Sequence, residues 1–221
     1  MTFLKPIFSK IKSTFEENPQ RFFTEHDIHS ELALIANSVL TERGPALVRT
    51  NDGFIVGRVH HEYPTPFRCY MKGREFRFIS EQEFKAKKGR ADRGSLDFVI
   101  FNIDYIESNP LMVVAGKNYV EFLKSIKKNQ FPALDLAVEV VYFPTFDEKP
   151  HFGIMKRRVE SVIQDYQKLI ALMEWQYADS MPFCKEAAMM LFSNTSFKEK
   201  LKDLLSSITI DKRVSLLSVL S

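Results

Sequence analysis

The chain has 221 residues, 45% of them hydrophobic and 27% charged, with a formal net charge of only +3. That length can bury a sizeable core in one domain, and the balance excludes wholesale disorder. Cys69 and Cys184 have no motif spacing, which excludes a disulfide scaffold and a cysteine zinc site and fits a reducing, cytoplasmic setting; no apolar run is long enough to cross a bilayer.

In "MTFLKPIFSKIKSTF" the apolar residues Leu4, Ile7, Phe8, Ile11 and Phe15 recur at helical spacing with lysines between, unlike a signal peptide. Residues 1–20 read as an N-terminal helical extension, packed on the body or serving as a homodimer arm, and 21–221 as a single domain. Thr24 opens the next helix, and Gly44-Pro45 closes it. A hairpin follows, with 46–49 going out, a turn at Asn51-Asp52-Gly53, and 54–63 as the return strand. Residues 68–94 are polar, basic and irregular, with a short helix expected at 81–88. Strands are expected around 96–103 and 136–143, with a helix at 119–128 between them. From 155 to 178 the apolar positions Val159, Val162, Ile163, Tyr166, Leu169, Ile170, Met173 and Tyr177 mark one face of a long helix. "KEAAMMLFSN" reads as a buried strand, "SFKEKLKDLL" as a helix and "RVSLLSVL" as a last strand. No repeat or linker divides the chain, so the expected fold is a mixed α/β domain, a central sheet with helices on its faces.

Two expected strands each contain a single acid. Asp97 lies among Leu96, Phe98, Val99, Ile100 and Phe101, and Glu139 among Ala137, Val138, Val140, Val141, Tyr142 and Phe143. An unpaired carboxylate there would cost several kcal/mol (roughly, on mutational scales). Taken singly, Asp97 can pair with Arg93 or Arg68, and Glu139 can face solvent on an edge strand. Taken together, neighbouring strands carrying one acid each build a carboxylate cluster. A hard divalent cation, Mg²⁺ or Mn²⁺, neutralises such a cluster, and the chemistry that follows is phosphodiester cleavage.

The sequence of "GSLDFVIFN", "LAVEVVY" and "VESVIQDYQKLIAL" resembles the PD-(D/E)xK nuclease superfamily, the restriction-endonuclease-like fold. In that pattern an Asp lies in one core strand, an acid-x-Lys element in the next, and a long helix follows. The resemblance implies a Mg²⁺-dependent nuclease acting on DNA, with Asp97 and Glu139 as catalytic metal ligands. Glu62 in "VHHEYPTP" is the upstream third acid, with Glu31 as second choice. One departure is plain: the lysine expected two residues after Glu139 is Val141. Either an ammonium arrives from elsewhere, with Lys168 first and Lys156 or Lys117 behind it, or the domain has lost catalysis and serves nucleic-acid binding or complex assembly. Asp165 and Lys168 are three apart on one helix face, so they can also form a simple surface ion pair.

Basic residues gather in groups: Lys85, Lys87, Lys88, Arg90 and Arg93; Lys124, Lys127 and Lys128; and Lys156, Arg157 and Arg158. Each group reads as solvated surface, or together they converge on a phosphate backbone. For a DNA partner the residues of interest are Lys87, Lys88, Arg90, Arg93, Lys156, Arg157 and Arg158. His60 and His61 are adjacent on a strand and face opposite ways, so they cannot share one site. No Gly-x-Ser-x-Gly elbow, phosphate-cradling glycine loop or Cys-x-x-Cys pair is present, which leaves other enzyme classes without a motif.

Overall fold

The computed structural model describes residues 2–72, 75–80, 82–83, 94–108, 130–143, 152–176, 181–193, 206 and 208–220. The described elements are, in chain order, α1 (Leu4–Glu17), a 3-10 turn (Pro19–Arg21), α2 (Glu25–Arg43), β1 (Leu47–Arg49), β2 (Ile55–Gly57), β3 (Val59–Pro64), β4 (Cys69–Lys72), β5 (Glu75–Phe78), β6 (Ser95–Phe101), α3 (Ile103–Ser108), β7 (Leu134–Phe143), α4 (Phe152–Glu174), β8 (Ala187–Ser193) and β9 (Val214–Leu220). The fold is α/β with a mixed central sheet flanked by helices. Five strands lie in the order β3-β6-β7-β8-β9. β6 runs antiparallel to both β3 and β7, while β7, β8 and β9 are parallel. A parallel pair needs a crossover, and the segment containing α4 supplies it between β7 and β8.

Period-two alternation along β7 divides its side chains between two cores. Leu136, Val138 and Val140 join Ile7, Ile11 and Phe15 of α1 and Ile28, Leu32 and Val39 of α2 on one face. Ala137 and Val141 turn to the other face, where Val162, Tyr166, Leu169 and Leu172 of α4 pack. All of β7 except half-buried Val141 is out of solvent, because a strand flanked on both edges and both faces has no wet side. Glu139 therefore lies in the middle of the sheet, not on a solvent-facing edge.

α1 is part of this architecture. Its apolar stripe, Ile7, Ile11 and Phe15, is buried within the chain against α2 and β9, so the surface expected of a dimer arm is already covered. Asp27 helps start α2 by accepting the backbone N–H groups of Phe23 and Thr24 at 2.9 and 2.7 Å. The expected return strand 54–63 breaks in two at Arg58. The Arg58 N–H bonds Ala46 O beside the β1–β2 ladder, and its carbonyl accepts from Phe101 N in the central sheet, so the chain changes sheets at this residue. The Arg58 side chain is consequently buried, held by Phe101 O at 2.8 Å and by Asp135 at 2.6 Å. The long helix ends at Glu174. The helices expected at 119–128 and in "SFKEKLKDLL", and all but residues 82–83 of the one at 81–88, lie outside the described residues. Among the described residues no helix is long and apolar enough to cross a membrane.

Candidate functional site

The central sheet lines up three acids. Tyr63 pairs with Leu96 and His61 with Phe98, so Glu62 falls opposite Asp97; Phe98 pairs with Val138, so Asp97 in turn falls opposite Glu139. The registered pairs between β6 and β7 stop at Phe98–Val138, although both strands run on. Beyond that point the strands part, and a cleft of about 760 Å³ opens between them, the N-terminus of α2 and the middle of α4. Backbone N–H groups of Val140 and Tyr142 that would continue the ladder need other acceptors. Asp97 Oδ2 takes the first at 2.8 Å and Glu25 Oε2 the second at 3.3 Å. Glu62 has φ +51°, a left-handed conformation that L residues adopt at a cost of about 1–2 kcal/mol, and its carboxylate accepts from Ser95 Oγ at 2.9 Å.

Lys168 enters the cleft from α4. Its Nζ lies 2.8 Å from Glu139 Oε1, 3.0 Å from Asp165 Oδ1 and 2.7 Å from the Ser95 carbonyl. It is 4% exposed, so the surface ion pair expected of Asp165 and Lys168 is instead a buried cluster. The Glu139 contact is a short ion pair without hydrogen-bond alignment, and Glu139 Oε1 has no hydrogen bond among the described residues. Removal from water pushes the Glu139 carboxyl well above the usual carboxylate range; Lys168 opposes that shift, and Asp97 and Asp165 add to it. Burial alone would lower the Lys168 ammonium, yet Glu139 and Asp165 more than reverse this and hold it above its ordinary value. Lys168 is thus a permanent cation at neutral pH and no base. Its stem passes over Gly94, where a Cβ would come within 3.0 Å of Lys168 Cδ. The space that glycine leaves is what lets the side chain through.

At the α2 end, Glu25 and His29 are four residues apart and so share a helix face. One ligand atom from each, together with one from Asp97, lies within 4.8 Å of the others. His29 is buried, and its Nε2 has no hydrogen-bond partner among the described residues. Its ring stacks on His61 at 6.0 Å, and burial lowers its pKa, so it is neutral at physiological pH. The Glu25 carboxyl is raised, first by burial in the cleft, with the Tyr142 N–H opposing. Altogether five carboxylates (Glu25, Glu62, Asp97, Glu139 and Asp165) and two cations (Arg158 and Lys168) line the cleft, a formal excess of three negative charges.

No family model matches this chain, and no curated protein or solved structure matches it.

Of the residues singled out from sequence, Asp97, Glu139, Glu62, Lys168 and Arg158 line one cleft. Asp97 is held by the Val140 amide. Glu31 instead pairs with Arg21. Arg157 is exposed on α4, and Arg158 donates to Tyr142 O at 3.3 Å. Lys156 lies on the same helix. Lys87, Lys88, Arg90, Arg93 and Lys117 fall outside the described residues, as do Lys124, Lys127 and Lys128. His60 and His61 do separate: His60 bonds Gly57 O and meets Phe101, while His61 packs on His29 and Phe98. Glu25 and His29 escaped the sequence reading, although a Glu-x-x-x-His spacing just inside a capped helix start was the available signal.

Proposed function

We propose that the chain is a metal-dependent nuclease of the PD-(D/E)xK type that hydrolyses DNA phosphodiester bonds, with its lysine delivered by α4 in place of Val141. The observation that carries this reading is the 2.8 Å approach of Lys168 Nζ to Glu139, from a helix and not from the strand position two residues on. The acids on adjacent strands β6 and β7, followed by a long helix, support the same reading. A divalent cation held by Asp97 and Glu139, with Glu25 or Glu62 as a third carboxylate, would activate water and absorb charge on the phosphate. Lys168, protonated throughout, can turn one of its three N–H groups from its present acceptors toward a phosphate oxygen or the attacking water. Asp165 and the Ser95 carbonyl keep its head in place while it does so. Arg158 lines the same cleft and donates to Tyr142 O of β7, which supports a role for its guanidinium in holding a flanking phosphate.

The test is purified protein with Mg²⁺ or Mn²⁺ on plasmid, linear duplex and single-stranded DNA. Cleavage lost in both Asp97→Ala and Lys168→Ala is the expected result. Cleavage that survives Asp97→Ala sinks the proposal. Cleavage that appears only in Val141→Lys points to a domain that kept its acids for nucleic-acid binding or assembly and lost the reaction.

A further inference from the structure

We infer that Glu25, His29 and Asp97 form a site for a divalent cation of the first transition series, of which Mn²⁺ is the probe, in preference to Mg²⁺. The inference leans on the nuclease reading for what the ion would do, and stands apart from it on whether the ion binds. Three observations carry it.

First, ligand atoms from the three residues already lie within 4.8 Å of one another. Two ligands of one ion at about 2.1 Å each sit at most about 4.2 Å apart, so closure needs only a small side-chain rotation. Second, the carboxylates are prepared for it. Asp97 Oδ2 and Glu25 Oε2 each accept one backbone N–H, from Val140 at 2.8 Å and from Tyr142 at 3.3 Å, which orients both groups. Third, His29 is only 7% exposed, and its Nε2 has no hydrogen-bond partner among the described residues. A buried imidazole nitrogen without a hydrogen bond is unfavourable unless something occupies it. Stacking against His61 at 6.0 Å with 16° between the planes, and an edge contact with His26 at 5.7 Å, fix the ring.

The donor set then selects the ion. Mg²⁺ takes oxygen ligands in a near-ideal octahedron and keeps its waters, whereas an imidazole beside two carboxylates suits Mn²⁺ and the metals after it.

The experiment is calorimetric titration of the full chain with Mn²⁺ and, separately, Mg²⁺, on wild type, His29→Ala and Glu25→Gln, each first shown to keep a cooperative thermal transition. Expected are Mn²⁺ binding tighter than Mg²⁺ and a loss of at least about tenfold in Mn²⁺ affinity in either variant, since even indirect partners of ligands are worth 10–100-fold. Should His29→Ala fail to fold, Glu25→Gln decides alone. Wild-type affinity for Mn²⁺ in the folded variants, or Mg²⁺ bound as tightly as Mn²⁺, overturns the inference. Mn²⁺ bound as predicted with no DNA cleavage under any condition overturns the nuclease proposal and leaves this site standing.

Discussion

Replacing Lys168 by Met removes the cation from a buried cluster and nearly preserves side-chain length. Lys168 is 4% exposed and Glu139 1%, so neither water nor another described cation can take over at Glu139. Losing one partner of such a pair costs about 3–5 kcal/mol while the other stays charged. Glu139 escapes part of that by keeping a proton, at about 1.4 kcal/mol for each pH unit by which the solution lies above its unfolded value. Its folded pKa already lies well above 4.5, and losing Lys168 raises it further. For an acid shifted upward, the folded state holds a proton that the unfolded state releases. Stability is therefore intact below the unfolded value and drains as pH rises toward the folded one. The contribution of Lys168 itself, shifted upward as well, is present below about 10.5 and vanishes in the variant at every working pH. We expect Lys168→Met to lose about 3 kcal/mol at pH 8, equivalent to roughly 6–12 °C in Tm for a chain of this size, and about 1 kcal/mol at pH 5. Lys168→Met with Glu139→Gln should recover at least half of the loss at pH 8. Urea unfolding at both pH values, combined as a double-mutant cycle, measures this. A single variant within about 0.5 kcal/mol of wild type at both pH values, the ordinary range of a surface substitution, or a larger loss at pH 5 than at pH 8, refutes the reasoning.

Three further outcomes are expected. Gly94→Ala places a Cβ 3.0 Å from Lys168 Cδ and 3.2 Å from Thr65 Cγ2, and overpacking of that kind costs about 1–3 kcal/mol. Chemical unfolding should show that loss, and cleavage should fall while Mn²⁺ affinity measured by calorimetry holds. Arg158→Ala should lower the slope of log affinity for DNA against log salt by about one, with Mn²⁺ titration unchanged; an unaltered slope removes Arg158 from the phosphate path. Arg58→Met should cost about 3 kcal/mol, the low end for a buried pair, because Lys185 and Asn102 still hold Asp135 at 2.6 and 2.9 Å; thermal unfolding reads it.

The sheet was legible because burial on both faces writes an unbroken apolar run, as in β7, and α4 because its apolar residues recur at helical spacing. Asp97 and Glu139 stood out against that background for the same reason. The partner of Glu139 was harder to read. Whether Lys168 reaches a strand depends on how α4 is rotated against the sheet and on the gap left at Gly94, neither of which has a local signature. Glu25 was hidden by a competing explanation. Glu25 and Asp27 both suit the positive end of the α2 dipole, yet they do different work: Asp27 caps the helix, and Glu25 reaches across to the Tyr142 amide. The break at Arg58 was invisible because one residue belongs to two sheets, and strand alternation by itself describes only one.

The parting of β6 and β7 leaves a purely structural explanation for the acids, and its reach can be measured. Each orphaned amide of β7, unsatisfied, would cost about 1–3 kcal/mol, so an acceptor at Asp97 and another at Glu25 has value without any ligand. A neutral Asn or Gln carbonyl would serve that purpose as well, and would avoid crowding like charges into one cleft. Capping also accounts for one oxygen of each acid and not the second. It does not account for Glu139, which is buried, bonds no amide among the described contacts, and is balanced only by a lysine recruited from another element. Nor does it account for His29, whose ring is fixed by stacking while Nε2 has no hydrogen-bond partner among the described residues. The residues that capping leaves over are a carboxylate oxygen, an imidazole nitrogen and a surplus of negative charge around one cleft. That remainder is what a divalent cation would complete.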